Sequence, residues 1–426
     1  MSTTITVAPA YSKKQIGVAI ASAAIAFLAY TSVYAYRKPF TVVTFNNLSV
    51  AGVKYQVLLI ISQGLGYMLS KFCGIKFIAE LKLIHRWKIS AILVGTAWFC
   101  LLLLAIVPAP WGMLCMFVNG FMLGFMWGIV FSYIEGRRAT DFIGSVLSIS
   151  FIFAGGFTRS VALWLRDGWH IPENWVAFVT GLVFALPLIL FIYLLEKIPL
   201  PDEKDVQQRT ARKPMSRAER KKFLQQFGLG ALAVTVAYLF LTIMRDVRDN
   251  FMANIFNELG YGAKPQIFTV TETNTSIVLL ILISLLVFVR NNMRAFRLAH
   301  VVVITGFILA GISSALFLAG VMNGLLWMQL VGLGLYMGYI PFNCIFFERL
   351  IASFKIAGNV GFLIYMVDAW GYLGSSSVML SKEIFQIKLT WSQFYPACVV
   401  IFSVTGLVGT IFSLMYFNMK HAVQIK

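Results

Sequence analysis

The residues able to do chemistry in this chain are charged side chains set within apolar sequence. Arg37 lies in FLAYTSVYAYRKPFTVVTFNNL (residues 27–48) and Arg248 in YLFLTIMRDVRDNFMANIFNEL (residues 238–259). The two stretches are 211 residues apart and align without a gap. Leu28 falls on Leu239, Thr31 on Thr242, Arg37 on Arg248, Phe40 on Phe251, Phe45 on Phe256, Asn46 on Asn257 and Leu48 on Leu259. Guanidinium forks match phosphate or carboxylate oxygens bidentately, so two arginines facing each other across a pseudo-two-fold axis would form an oxyanion clamp. The competing reading is positional. Each arginine lies ~20 residues beyond its helix start, ~30 Å of rise, which would also suit the outer rim of a membrane.

Further charges sit near this pair. Arg245 and Asp249 flank Arg248 and are spaced i,i+4, so they can pair on one helix face, either orienting Arg248 or locking one conformation. Lys71 is either a site residue or a snorkelling lysine ahead of Lys76, and Arg159 is either a site residue or, with Arg166, part of a rim. Glu272 and Asp368 lie in largely uncharged runs. A buried carboxylate away from bases can take a proton near neutrality, whereas one beside arginine stays ionised as a gate or counter-charge. Glu272 is thus a partner for Arg248 or a proton carrier. Tyr34, Gln63 and Asn274 can offer neutral hydrogen bonds to a polar solute, or pack between helices.

The elements that must position these groups follow from composition. Mean hydropathy is +0.81, with 59% hydrophobic and 12% charged residues, too little polar surface to cover a water-soluble domain of 426 residues. The apolar runs are ~20 residues long, enough to cross ~30 Å of hydrocarbon as helices with their backbones satisfied internally. Roughly twelve are expected by this criterion, beginning near Gln15, Val53, Ile89, Gly112, Phe142, Val176, Phe227, Ile267, Ala299, Leu325, Ile356 and Phe394. The polar stretch KIPLPDEKDVQQRTARKPMSRAERKK (residues 197–222) reads as a linker with a helical second part. The expected organisation is an all-α membrane protein of two six-helix bundles, 1–196 and 226–426, joined by a linker over 197–225. GFMLGFMWG (120–128) and GLGLYMGYI (332–340) add a second internal rhyme.

The net charge of +18 is unevenly spread. Lys and Arg gather at Lys13 and Lys14, over 76–88, at Arg137 and Arg138, over 197–222 and over 290–297, while the alternate connections carry few or none. That alternation puts both termini and the long middle loop in the cytoplasm, of a plasma or bacterial inner membrane. The excess serves orientation and anionic lipid, and nucleic acid is not an expected partner. The five cysteines lack metal-ligand spacing, and the four histidines form no ligand set. The first residues read as an uncleaved start to helix one. No phosphate-cradling Gly-rich loop or Gly-x-Ser-x-Gly elbow occurs, so neither internal ATP hydrolysis nor hydrolase chemistry is expected, and no cofactor.

Twelve helices in two equivalent halves resemble the major facilitator superfamily. Arg37-Lys38-Pro39-Phe40 resembles the Arg-Lys-x-Phe sequence of its organophosphate:phosphate antiporters, and Ser70-Lys71-Phe72-Cys73-Gly74 is similar to that family's Ser-Lys-Phe-x-x-Gly, with the glycine one residue early. The resemblance implies that Arg37 and Arg248 hold a phosphate with Lys71 nearby. Two features depart from it. Ile152, ahead of Gly155, Gly156 and Arg159, stands where the antiporters carry a histidine, and the superfamily's acidic loop is barely recognisable in residues 74–80, which end at Glu80. The expected function is secondary transport of a small organic anion by alternating access, by a single chain, in exchange for inorganic phosphate if the resemblance carries. The alternatives are a proton-coupled carrier of a larger zwitterionic or amphipathic solute and, more remotely, a transporter-like sensor.

Overall fold

A computed structural model describes residues 13–45, 48–79, 86–135, 137, 139–201, 217–262, 264–287, 289, 291–354, 356 and 361–425. Most of the expected linker (202–216) lies outside the described residues, as do Asn46, Glu80, Arg138 and Arg290.

The first half contains α1 (Lys13–Tyr34), α2 (Tyr55–Ala79), α3 (Arg86–Ile106), α4 (Gly112–Gly124, resuming as Met126–Ile134), α5 (Thr140–Gly168) and α6 (Glu173–Glu196). The second contains α7 (Arg217–Glu258), α8 (Gln266–Val287), α9 (Asn292–Leu318) and α10 (Gly324–Pro341). A π-helical turn at Phe342–Phe346 carries α10 on into Phe347–Phe354, and α11 (Gly361–Ile384) and α12 (Trp391–Ile425) complete the half. Among the described residues, nine of these helices are long and apolar enough to cross a membrane. The other three are α2, α10 and α11, and α2 and α11 carry Lys71 and Asp368 within their length. Exposed side chains such as Ile92, Phe99, Leu186, Ile189, Ile401 and Val404 give α3, α6 and α12 apolar outer faces, as lipid contact requires. The fold is the all-α, two-bundle arrangement expected.

The packing repeats between halves. In the first, α1 packs on α5 and α6, and α3 on α4 and α6. In the second, α7 packs on α11 and α12, and α9 on α10 and α12. The halves meet where α5 packs on α8 and α2 on α11, two contacts that exchange under the repeat. At the first of these Gly156 is essential: a Cβ there would lie 2.5 Å from the Phe268 carbonyl oxygen, so only glycine lets α5 approach α8 this closely.

One local difference breaks the symmetry. In the first half α1 ends at Tyr34, and the chain passes through turns into a buried 3-10 segment, Pro39–Val42. Proline lacks an N–H, and its ring clashes with the carbonyl four residues back, which disfavours a helix running through position 39. Its counterpart under the 211-residue register is Asn250, and α7 continues to Glu258. A two-residue antiparallel hairpin (Ser49–Val50 and Val53–Lys54) then leads into α2.

Candidate functional site

The register that aligns Arg37 with Arg248 also sets Lys38 on Asp249, and these two meet across the halves. Lys38 Nζ lies 2.5 Å from Asp249 Oδ2 and donates to Asn250 Oδ1 at 2.8 Å. Equivalent positions meet only on the pseudo-two-fold axis, so the pair marks that axis. Arg159 reaches the same carboxylate from α5, with Nη2 2.7 Å from Asp249 Oδ1, and its Nε donates to Thr41 Oγ1 at 3.1 Å. The Lys38 and Arg159 side chains are only 2% and 1% exposed, against 17% for Asp249. Two cations of one half thus hold a single acid of the other.

Other polar links lie at the same end. The amides of Gln56 and Asn254 pair reciprocally, at 3.3 and 3.2 Å. Ser160 donates to the Pro265 carbonyl at 2.6 Å and accepts from the Thr269 hydroxyl at 2.7 Å. The Lys54 amide donates to Glu383 Oε2 at 3.4 Å. Among the described residues, the hydrogen bonds joining the halves gather at the face where α1, α5, α7 and α11 end, opposite the face that carries Lys13 and Ile425 and called the outer face only for its position away from both of those ends. These links close that face.

Arg37 and Arg245 lie next to this closure. Arg37 stacks over the Tyr67 ring at 3.9 Å from the centroid, with Tyr34 at 5.6 Å. Arg245 stacks over Tyr339 at 4.3 Å. Tyr372, from α11, has its ring 5.4 Å from that of Tyr67 and lies within electrostatic reach of both guanidinia. Among the described residues, neither arginine has a carboxylate at ion-pairing distance, and the Nε of each is buried without a hydrogen-bond partner. The expected i,i+4 pair of Arg245 with Asp249 does not form, because Lys38 and Arg159 take the carboxylate from the other half. A small cavity beside Arg37 is lined also by Gln63, Asp246, Asn250, Tyr372 and Ser376, from both halves.

Arg248 points elsewhere. Its Nη1 lies 2.7 Å from Glu272 Oε1 and its Nη2 donates to the Met328 carbonyl at 3.0 Å, all within the second half. A Cβ on Gly332 would sit 2.5 Å from Arg248 Nη2, so this glycine of the second rhyme makes room for the guanidinium. The clamp expected from Arg37 and Arg248 is therefore not assembled. The opposite charges of Lys38 and Asp249 occupy the axis, and Glu272 neutralises Arg248. Beside the closure, the second-half arginine without a carboxylate partner among the described residues is Arg245, whose counterpart in the first half is Tyr34.

The remaining candidates are scattered. Tyr238 donates to Asp368 Oδ1 at 2.7 Å and accepts from Asn343, in the π-helical turn, at 3.2 Å. Lys71 Nζ lies 4.9 Å from the Tyr67 ring centroid and 6.0 Å from that of Trp127. Gln63 donates to Asn119 and to the Arg37 carbonyl, bracing the turn after α1. Asn274 is exposed. Sequence reasoning did not single out Lys38, Tyr67, Tyr339 or Tyr372 as site residues. Only Lys38 had a legible signal, its opposite-charge counterpart in the repeat.

Comparison with solved structures identifies the fold. A point mutant of the nucleoside transporter NupG is 14% identical, with a TM-score of 0.61, over 94% of this chain and 99% of that one. The structure of NupG itself is 16% identical, with a TM-score of 0.58, over 95% and 99%. A D-xylose-proton symporter is 14% identical, with a TM-score of 0.61, over 94% and 97%. At these identities the likeness is one of fold, the major facilitator fold, and the antiporter subfamily suggested by the Arg-Lys-x-Phe sequence finds no support among them. No curated protein sequence matches the chain. A family model matches residues 39–420, and the chain belongs to that family, the family of unknown function DUF5690.

Proposed function

We propose that this protein is a secondary transporter of a small organic anion, working by alternating access between its two halves. The reading rests mainly on Arg37 and Arg245, one from each half. Both are without a carboxylate partner among the described residues, and both face tyrosines at the interface between halves. A guanidinium kept at membrane depth without a counter-charge is expensive, and a group of this kind persists where a solute or cavity uses it. In this reading the anion joins the two arginines, its organic part packs among Tyr34, Tyr67, Tyr339 and Tyr372, and the closure at Lys38, Asp249 and Arg159 opens and shuts the outer face. The distribution of Lys and Arg orients both termini to the cytoplasm. Exchange for inorganic phosphate remains part of this proposal, with the single chain as the working unit.

Proton coupling is a second reading, favoured by Asp368. Its hydrogen-bond partner is a neutral hydroxyl, whereas Glu272 and Asp249 are held by cations. The test is thermal stabilisation of the purified protein by phosphates, sugar phosphates, carboxylates and lysolipids. A ligand at ~100 times its dissociation constant adds ~2.7 kcal/mol to the form it binds. Stabilisation by an anion that disappears in Arg37→Met and Arg245→Met supports the reading. Stabilisation that survives both substitutions removes the arginines from the site.

A further inference from the structure

The small cavity between the halves has an acid in its wall as well as an arginine. Asp246 and Asn250, spaced i,i+4 on α7, both line it, and Arg37 lines it from the first half. Asp246 is buried, and among the described residues it has no cation at ion-pairing distance. Its carboxylate accepts one hydrogen bond from the described residues, from the Ser375 hydroxyl to Oδ2 at 2.7 Å. An ionised carboxylate offers about four acceptor positions, so most of its capacity is open. Two other polar groups of the wall are already engaged. Gln63 donates to Asn119 and to the Arg37 carbonyl, and Lys38 holds Asp249 and Asn250. On the α2 side Gly64 leaves room, since a Cβ there would meet no neighbouring group within 4 Å.

We infer that Asp246 selects the solute by accepting a hydrogen bond from a donor carried beside its anionic group, which makes the solute an amino acid or a hydroxy acid. The inference rests on the anion-transport reading above and adds a second point of recognition to it. Opposite charges that share a buried cavity without pairing are costly unless something between them satisfies both. A solute with an anionic oxygen for Arg37 and a donor for Asp246 does so, and because these residues belong to different halves it ties the halves together. A plain carboxylate leaves Asp246 with its serine alone. An ammonium or a hydroxyl gives the same charge-assisted bond to the carboxylate, so the chemistry shared by the two kinds of solute is a donor next to an acid group. The cavity is small, which places that donor on a carbon close to the acid group.

The experiment compares three acids with the same phenyl group and carboxylate on the purified full-length protein, by binding titration at pH 7.5. Phenylacetate has no donor, mandelate has a hydroxyl and phenylglycine an ammonium. At least one of the last two is expected to bind at least ~10-fold tighter than phenylacetate, and the tighter of them identifies the donor. Asp246→Ala should bring that preference below ~3-fold. Asp246→Asn keeps the shape and a neutral acceptor and should leave the preference between that value and the wild type's. Equal affinity for all three acids in the wild type overturns the role of Asp246 and leaves the anion-transport reading standing. A preference undiminished in Asp246→Ala does the same, and should that variant not fold, an undiminished preference in Asp246→Asn is equally decisive. No binding of any of the three overturns both.

Discussion

Asp249→Asn should open the outer face. The wild-type carboxylate lies 2.5 Å from Lys38 Nζ and 2.7 Å from Arg159 Nη2, and both cations are almost fully buried. Breaking a buried ion pair by removing one partner costs about 3–5 kcal/mol, since the other charge is left uncompensated. Asp249 is 17% exposed, so the lower end of that range applies, about 3 kcal/mol. The cost falls on the closed outer face, because separating the halves lets water reach Lys38 and Arg159. An equilibrium of ~99:1 in favour of closure would then become roughly even, a shift of ~150-fold. Two loops report the change: Trp111 and Val321, ahead of α4 and α10, are 64% and 75% exposed. Nitroxide labels at Trp111→Cys and Val321→Cys, with the native cysteines replaced, would be measured by pulsed electron paramagnetic resonance. The expected result is a second, longer distance in Asp249→Asn at roughly equal population. A single unchanged distance would refute the idea that this carboxylate holds the halves together.

Other substitutions separate structural from functional charges. Glu272→Gln should destabilise the fold by about 3 kcal/mol or more, measured as a lower melting temperature, because Arg248 is then buried without its partner. Replacing both as Arg248→Met and Glu272→Met should recover most of that loss, and failure to recover would mean the pair does more than neutralise itself. Gly156→Leu should force α5 away from the Phe268 carbonyl and raise the population of the longer distance between the same labels; an unchanged distribution would show that the contact is not needed for closure. Arg245→Met should leave the melting temperature of the ligand-free protein within about 1 kcal/mol of stability, since it removes an unpaired buried charge; a large loss would assign Arg245 a structural role.

The helices and their division into two halves were legible because hydrophobic length and internal repetition are properties of the sequence itself. The candidate site was legible only in part. Arg37, Arg159, Asp249 and Glu272 stood out as charges in apolar sequence, but their partners are set by three-dimensional packing. The repeat paired Arg37 with Arg248 by position, and the break at Pro39 removed the equivalence by ending α1 while α7 ran on. The i,i+4 spacing of Arg245 and Asp249 is a local preference worth a few tenths of a kcal/mol, and two cations of the other half override it. Tyr67, Tyr339 and Tyr372 carried no signal, because a tyrosine in an apolar helix reads equally as packing or as a site residue.

The central claim is that an anion crosses the membrane by way of Arg37 and Arg245. The most direct measurement is uptake of labelled phenyl phosphate and phthalate into liposomes carrying the purified protein, beside Arg37→Met and Arg245→Met. The account predicts saturable uptake of at least one of the two by the wild type, reduced at least ~100-fold by each substitution while the folded protein is retained. Uptake unaffected by both substitutions, or no uptake of either anion, would contradict it.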